Sequence, residues 1–367
     1  MSTEKQIREW FTHFHENPEI SWKEVETTKK ISGILTEMNV QHHTFDDVTG
    51  VVAEIGSGDR IIAVRADIDA LWQEVDGVFR ANHSCGHDAN MSMVLGALSY
   101  LQEQQIGSRI RFIFQPAEEK GNGAKSMIER GAIDGVSHLF GVHLRPQEEI
   151  PFGKISPAIH HGAAIFLEGK VKGIDAHGAR PQQGKNALDP VFAIGQFLKT
   201  IYFSPYEAYS AKLTKVQAGG ESLNIIPGNA LFAIDARAQS NSVLNELKER
   251  IAAGIHSIAQ LYDVDIELNW SDYTPAAEVS EEAASIAKEG ILEAFGEEAF
   301  APEIITSGSD DFHFYTIHNP DLKAAMIGIG ADLGPGLHHP DMTFNRGALD
   351  MGAKVLAATL AKASFSE

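Results

Sequence analysis

The chain has 367 residues, 43% hydrophobic and 22% charged, a balance that gives folded, soluble cores and excludes a disordered chain. Lys and Arg number 30 against 50 Asp and Glu, and the resulting net charge of −20 excludes nucleic acid and anionic membrane as partners. No apolar run of about 18 residues marks a membrane span, MSTEKQIREWF reads as no secretory signal, and a lone Cys85 forms no internal disulfide, which together predict a cytoplasmic protein.

The length suggests roughly two to three domains. Four apolar runs read as buried strands, each followed by a helical pattern: Ile61–Val64, Ile110–Phe114, His138–Val142 and Ala324–Ile329. Runs buried on both faces predict an α/β fold, a mostly parallel sheet flanked by helices. Met91, Val94, Leu95, Leu98 and Leu101 follow helix spacing. From about Ala164 the order becomes strand (AIFLEGKVKG), helix (NALDPVFAIGQFLKT), strand (AKLTKVQAG), strand (NALFAIDARA), helix (SVLNELKERIAAGIHSIAQLY), strand (VDIELNWS). That is the order of a ferredoxin-like α+β unit. The predicted domains are therefore a discontinuous catalytic domain, 1–162 and 274–367, interrupted by an inserted domain, 163–273, with hinges near His161-Gly162 and Tyr273-Pro275.

Ligands of open α/β sheets bind beyond the carboxyl ends of the strands. Asp67 and Asp69 follow the first run, Glu118 and Glu119 the second, His143 closes the third, and His338 and His339 come after the fourth. The segment HSCGHDAN, with Cys85 and His87, opens the helix after the first run. A lone cysteine is more often an inert apolar residue, but the C-G-H spacing lets a thiolate and an imidazole reach one ion. The helix start favours the thiolate. The rival is a Cys85–His87 nucleophile pair, although residues two apart rarely reach in-line geometry. Glu118-Glu119 reads either as two solvated charges or as a divided pair. In the second case the carboxylates point apart, one binding metal while the other moves protons. His143 and His338 each have a bland reading as satisfied histidines. Together with Cys85, His87 and one carboxylate they make a donor set that suits zinc-like transition metals over magnesium or calcium.

Eight segments in order, RADIDAL (65–71), HSCGHD (83–88), FQPAEE (114–119), GVHLRP (141–146), AHGARPQQGKNALDP (176–190), LNIIPGNA (223–230), SGSDDFHFY (307–315) and LHHP (337–340), give the chain a resemblance along nearly its whole length. It resembles the aminoacylase, hippurate hydrolase and indole-acetyl-amino-acid hydrolase family, dinuclear metalloamidohydrolases related to carboxypeptidase G and succinyl-diaminopimelate desuccinylase. The resemblance implies two divalent transition-metal ions per subunit (zinc, manganese, cobalt or nickel), bridged by Cys85. His87 and Glu119 would complete one site, His143 and His338 the other, with His339 as an alternative to His338. Glu118 would be the general base, His177 the oxyanion-stabilising donor, and Asn224 and Arg237 the groups holding the substrate's carboxylate or amide. The implied reaction is hydrolysis of a small N-acyl amino acid by a metal-bridged water, with the inserted domain as lid and homodimer contact. A dipeptidase or carboxypeptidase of the same architecture is the neighbouring alternative, and a non-catalytic binding homologue the more distant one. Where the family commonly has histidine and proline this chain has Asn90 and Trp72, positions expected to line the approach to the pocket.

Overall fold

The structure is a computed structural model and describes residues 2–366. The chain divides into two compact units. One comprises the chain up to His160, Glu278–Ile305 and the chain from Asp311 onward; the other comprises His161–Ala277 and Thr306–Asp310.

The larger unit is built on a seven-stranded sheet. Its centre is four parallel strands, in the spatial order Arg109–Gln115, Ile61–Asp67, Val136–Pro146, Lys323–Leu333, and these contain the four apolar runs. Every residue of Ile61–Asp67 is buried, which is why the run shows no polar alternation. Antiparallel strands extend the sheet at both ends, Val51–Ile55 and Gln41–Thr44 on one side and Ile155–Ser156 on the other. Helices His87–Gln102 and Gly347–Phe365 pack closely within the core. A Cβ on Gly96 would stand 2.8 Å from Ala353 Cβ, so the pair approaches only because that position has no side chain.

Two expectations change here. The strand Val136–Pro146 leads not into a helix but into the short strands Ile155–Ser156 and Ile159–His161 and on toward the second unit. The segment after Asp67 forms an unforeseen antiparallel hairpin, Leu71–Val75 with Val78–Asn82, before the helix begins at His87.

The smaller unit has one four-stranded antiparallel sheet, in the spatial order Tyr209–Ala218, Asn229–Ala238, Ala163–Lys172, Asp265–Thr274. Helices Leu188–Leu198 and Asn241–Tyr262 join the alternate side chains of the strands, Phe232, Ile234 and Ala236 among them, in a separate core. Strand order and connections are those of the ferredoxin-like arrangement. Among the described residues no helix is long and apolar enough to cross a membrane.

Candidate metal centre

The candidate ligands converge at the carboxyl ends of the parallel strands. Gly86, at φ +87°, turns the chain into the helix His87–Gln102. A Cβ there would meet only Leu144 at 3.5 Å, so the left-handed backbone, not lack of space, calls for glycine. The turn puts Cys85 just ahead of the helix and His87 at its first residue, both buried. His143 lies within the Val136–Pro146 strand, which runs three residues beyond it, and pairs in register with Gly328.

Cys85 Sγ is 3.7 Å from His143 Nε2 and 3.3 Å from His338 Nε2. His338 Nε2 is 3.4 Å from Glu119 Oε1, which in turn is 3.9 Å from His87 Nε2. The donors form two overlapping triads, Cys85–His87–His143 and Cys85–Glu119–His338, with all donor atoms of each within 4.8 Å of one another. Cys85 belongs to both. A third group, His87–Glu118–Glu119, meets the same spacing, so His87 stands near Glu119 as well as near Cys85 and His143. His339 faces elsewhere, its Nδ1 accepting the backbone N–H of Asp341 at 3.1 Å.

The donor chemistry fits metal. His87 Nδ1 donates to the Asp69 carbonyl at 2.9 Å and His143 Nδ1 donates to the Leu144 carbonyl at 2.7 Å, so both rings turn Nε2 inward. His87 Nε2 and Glu119 Oε1 are buried with no hydrogen-bond partner. Such orphaned atoms are costly unless something coordinates them. Burial, reinforced by the Glu119 charge, pushes the Cys85 thiol well up, contrary to the expectation that the helix start alone favours the thiolate. A coordinated cation reverses that balance. Burial works against a charged His87, but the Asp67 carboxylate and Cys85 outweigh it and raise the imidazole well above its ordinary value. His338 is raised by its contact with Glu119.

Glu118 and Glu119 occupy a short 3-10 turn, Glu118–Lys120, reached through Ala117 at φ +52°, a left-handed conformation costly for alanine. Glu24 holds that turn, its Oε1 accepting the Ala117 N–H at 2.9 Å. The two carboxylates do not point apart as the sequence suggested: Glu118 Oε2 is 3.8 Å and Glu119 Oε1 3.9 Å from His87 Nε2. The Ala117 turn swings both inward. Asp69, fully buried, accepts the N–H of Glu118 on Oδ1 and that of Glu119 on Oδ2, each at 3.1 Å, and the Ser21 hydroxyl at 2.6 Å.

Behind this layer lies a buried polar network that the sequence did not disclose. The Arg65 guanidinium donates to Asp67 at 2.6 Å, Asp311 at 2.7 Å and Gln115 at 2.9 Å. Asp311 also accepts the Ala124 N–H at 2.9 Å. Two charged residues, Arg65 and Asp67, at the end of an apolar run were the available signal in RADIDAL. Asn90 is fully buried and donates to Asp67 Oδ1 at 2.8 Å, so it braces this network rather than lining a pocket. Trp72, on the hairpin, is 59% exposed.

The remaining candidates belong to the smaller unit. His177 is exposed and pairs in register with Ile225, while the Gly178 N–H donates to the Asn224 carbonyl at 2.7 Å, so these two candidates share one small two-stranded element. Arg237 is half-buried near the far end of Asn229–Ala238, its Nε donating to Asp235 at 3.0 Å.

The family model for peptidase family M20/M25/M40 matches residues 63–362. The chain is similar to an N-acetylcysteine deacetylase of Bacillus subtilis (strain 168), 31% identical with 94% of this chain and 93% of the relative covered. It is also similar to an IAA-amino acid hydrolase of Arabidopsis thaliana, 29% identical with 94% and 82% covered. Among solved structures, a Bacillus subtilis dinuclear metal-binding peptidase from the M20 family superposes with a TM-score of 0.86 at 26% identity, covering 100% of this chain and 99% of that one. The chain thus belongs to peptidase family M20/M25/M40, as a hydrolase of amide bonds that works with divalent metal ions.

Proposed function

We propose that this enzyme hydrolyses N-acyl amino acids, releasing a carboxylic acid and a free amino acid, with two divalent transition-metal ions held by Cys85, His87, Glu119, His143 and His338. The observation that carries the reading is the meeting of Cys85 Sγ with the Nε2 atoms of His143 and His338 at 3.7 and 3.3 Å, beside the orphaned Nε2 of His87. A thiolate shared between imidazoles and a carboxylate suits zinc, manganese, cobalt or nickel better than magnesium. Ions bound there supply Lewis acidity and a water acidic enough to ionise near neutral pH.

Glu118 takes the proton of the attacking water and returns it to the departing nitrogen. Its carboxylate stands 3.8 Å from His87 Nε2 and accepts the Asp311 N–H at 3.4 Å, which holds it beside the centre. Asp69 fixes the backbone of both glutamates, so base and ligand keep one mutual orientation. His177 is the donor to the developing oxyanion, a role that rests on the resemblance. The backbone link between Gly178 and Asn224 supports Asn224 as its neighbour in substrate binding. Arg237 as a carboxylate partner and the smaller unit as homodimer contact rest on the resemblance, and the smaller unit as lid and a cytoplasmic setting on the sequence.

The deciding experiment assays protein reconstituted with zinc, manganese, cobalt or nickel against a panel of N-acyl amino acids and dipeptides, measuring released amine. Higher kcat/KM on the N-acyl amino acids supports the reading. Higher kcat/KM on dipeptides would make the enzyme a peptidase, and no turnover with any metal would leave only a binding role.

A further inference from the structure

His338 is an unusual ligand for its surroundings. Its side chain is 55% exposed, so packing does not hold it, and its backbone sits at φ +66°, where a non-glycine residue is strained. Something other than burial must keep Nε2 at 3.3 Å from Cys85.

The hairpin that the sequence did not foretell supplies it. Gln73, on the strand Leu71–Val75, donates from Nε2 to the His338 carbonyl at 3.1 Å. Its Oε1 accepts the Ser84 hydroxyl and, at 2.9 Å, Asn82 Nδ2. Asn82 donates also to the Pro340 carbonyl at 3.0 Å, and the His338 N–H donates to the Ser84 carbonyl at 2.8 Å. One amide thus joins the hairpin, the residue before Cys85 and the strained residue itself. All of these residues belong to the larger unit.

We propose that Gln73 is a positioning residue that locks His338 in its metal-binding orientation, an inference that rests on His338 being a ligand. The amide is suited to the task because it donates and accepts at once: the donor half grips the His338 carbonyl while the acceptor half is anchored on Asn82 and Ser84. A glutamate keeps the acceptor and loses the donor; a methionine keeps the volume and loses both. The hairpin would then be part of the metal centre although it contributes no ligand.

The test is zinc titration of the metal-free full chain against a chromophoric chelator, for wild type, Gln73→Met, Gln73→Glu and His338→Ala, alongside the thermal unfolding midpoint of each metal-free protein. The expected result is that His338→Ala loses one of two ions. Both Gln73 variants should bind one ion about 10–100-fold more weakly and the other as wild type does, with the metal-free midpoint unmoved. A merely structural role would lower that midpoint and leave zinc affinity intact. If Gln73→Met does not fold, Gln73→Glu and Asn82→Ala decide on the same criterion. Wild-type affinity for both ions in the Gln73 variants, while His338→Ala loses one, overturns the clamp. Two ions at wild-type affinity in His338→Ala overturns the ligand assignment, and the clamp with it.

Discussion

Asp69 Oδ1 accepts the backbone N–H of Glu118 at 3.1 Å, joining the end of one parallel strand to the turn beyond its neighbour across 49 residues of sequence. The same carboxylate reaches Glu119 and Ser21, so its loss would leave buried donors unpaired, at about 1–3 kcal/mol each. Asp69→Ala should lower kcat by about two orders of magnitude, the cost of misplacing a reacting group by roughly an ångström, with a smaller change in KM. Steady-state kinetics on the metal-loaded variant check this; unchanged kcat would mean that the turn holds itself.

Glu118→Gln preserves shape and removes the proposed base. Metal content by elemental analysis and the thermal midpoint should match wild type, while kcat falls by about 10²–10⁴-fold, the usual contribution of a positioned proton-transfer group. A variant with most of its activity would assign the proton to another residue.

Arg65 is 1% exposed and stands between the carboxylates of Asp67 and Asp311. Breaking a buried ion network from one side typically costs about 3–5 kcal/mol. Arg65→Met should therefore lower the urea unfolding free energy of the metal-free protein by about that amount. A change under about 1 kcal/mol would show that the two carboxylates take up protons or water without penalty.

Burial holds the His138 imidazole below its ordinary pKa, although Glu282 pulls the other way. The folded state then binds fewer protons than the unfolded chain as pH falls below the unfolded value of about 6.5. His138 should thus cost stability increasingly as pH drops from about 7 toward its folded pKa, and nothing above. The stability difference between wild type and His138→Asn, followed by denaturant unfolding from about pH 8 to about pH 5, should shift against wild type on acidification. A constant difference would mean that the imidazole takes up its proton as easily folded as unfolded.

The four parallel strands could be read from sequence because burial on both faces makes each a continuous apolar run, and the smaller unit because its alternating strands and two long helices keep local periodicity. The hairpin Leu71–Val75/Val78–Asn82 escaped because its burial is uneven and its purpose is polar: Gln73 and Asn82 show their value only against a carbonyl 265 residues away from Gln73. Arg65–Asp311 was hidden for the same reason, its partners lying 246 residues apart. The gathering of Cys85, His87, Glu119, His143 and His338 in one place was legible from their positions beyond the strand ends. The inward turn of both Glu118 and Glu119 was not, since it depends on the left-handed Ala117.

The central claim is that a metal pair shares the thiolate of Cys85. Anomalous diffraction at the zinc absorption edge, on crystals of the zinc-reconstituted protein, tests it most directly. The expected maps show two zinc peaks, each about 2.3 Å from Cys85 Sγ and about 2.0–2.1 Å from a histidine nitrogen. A single peak, or peaks that leave Cys85 outside bonding distance, would contradict it.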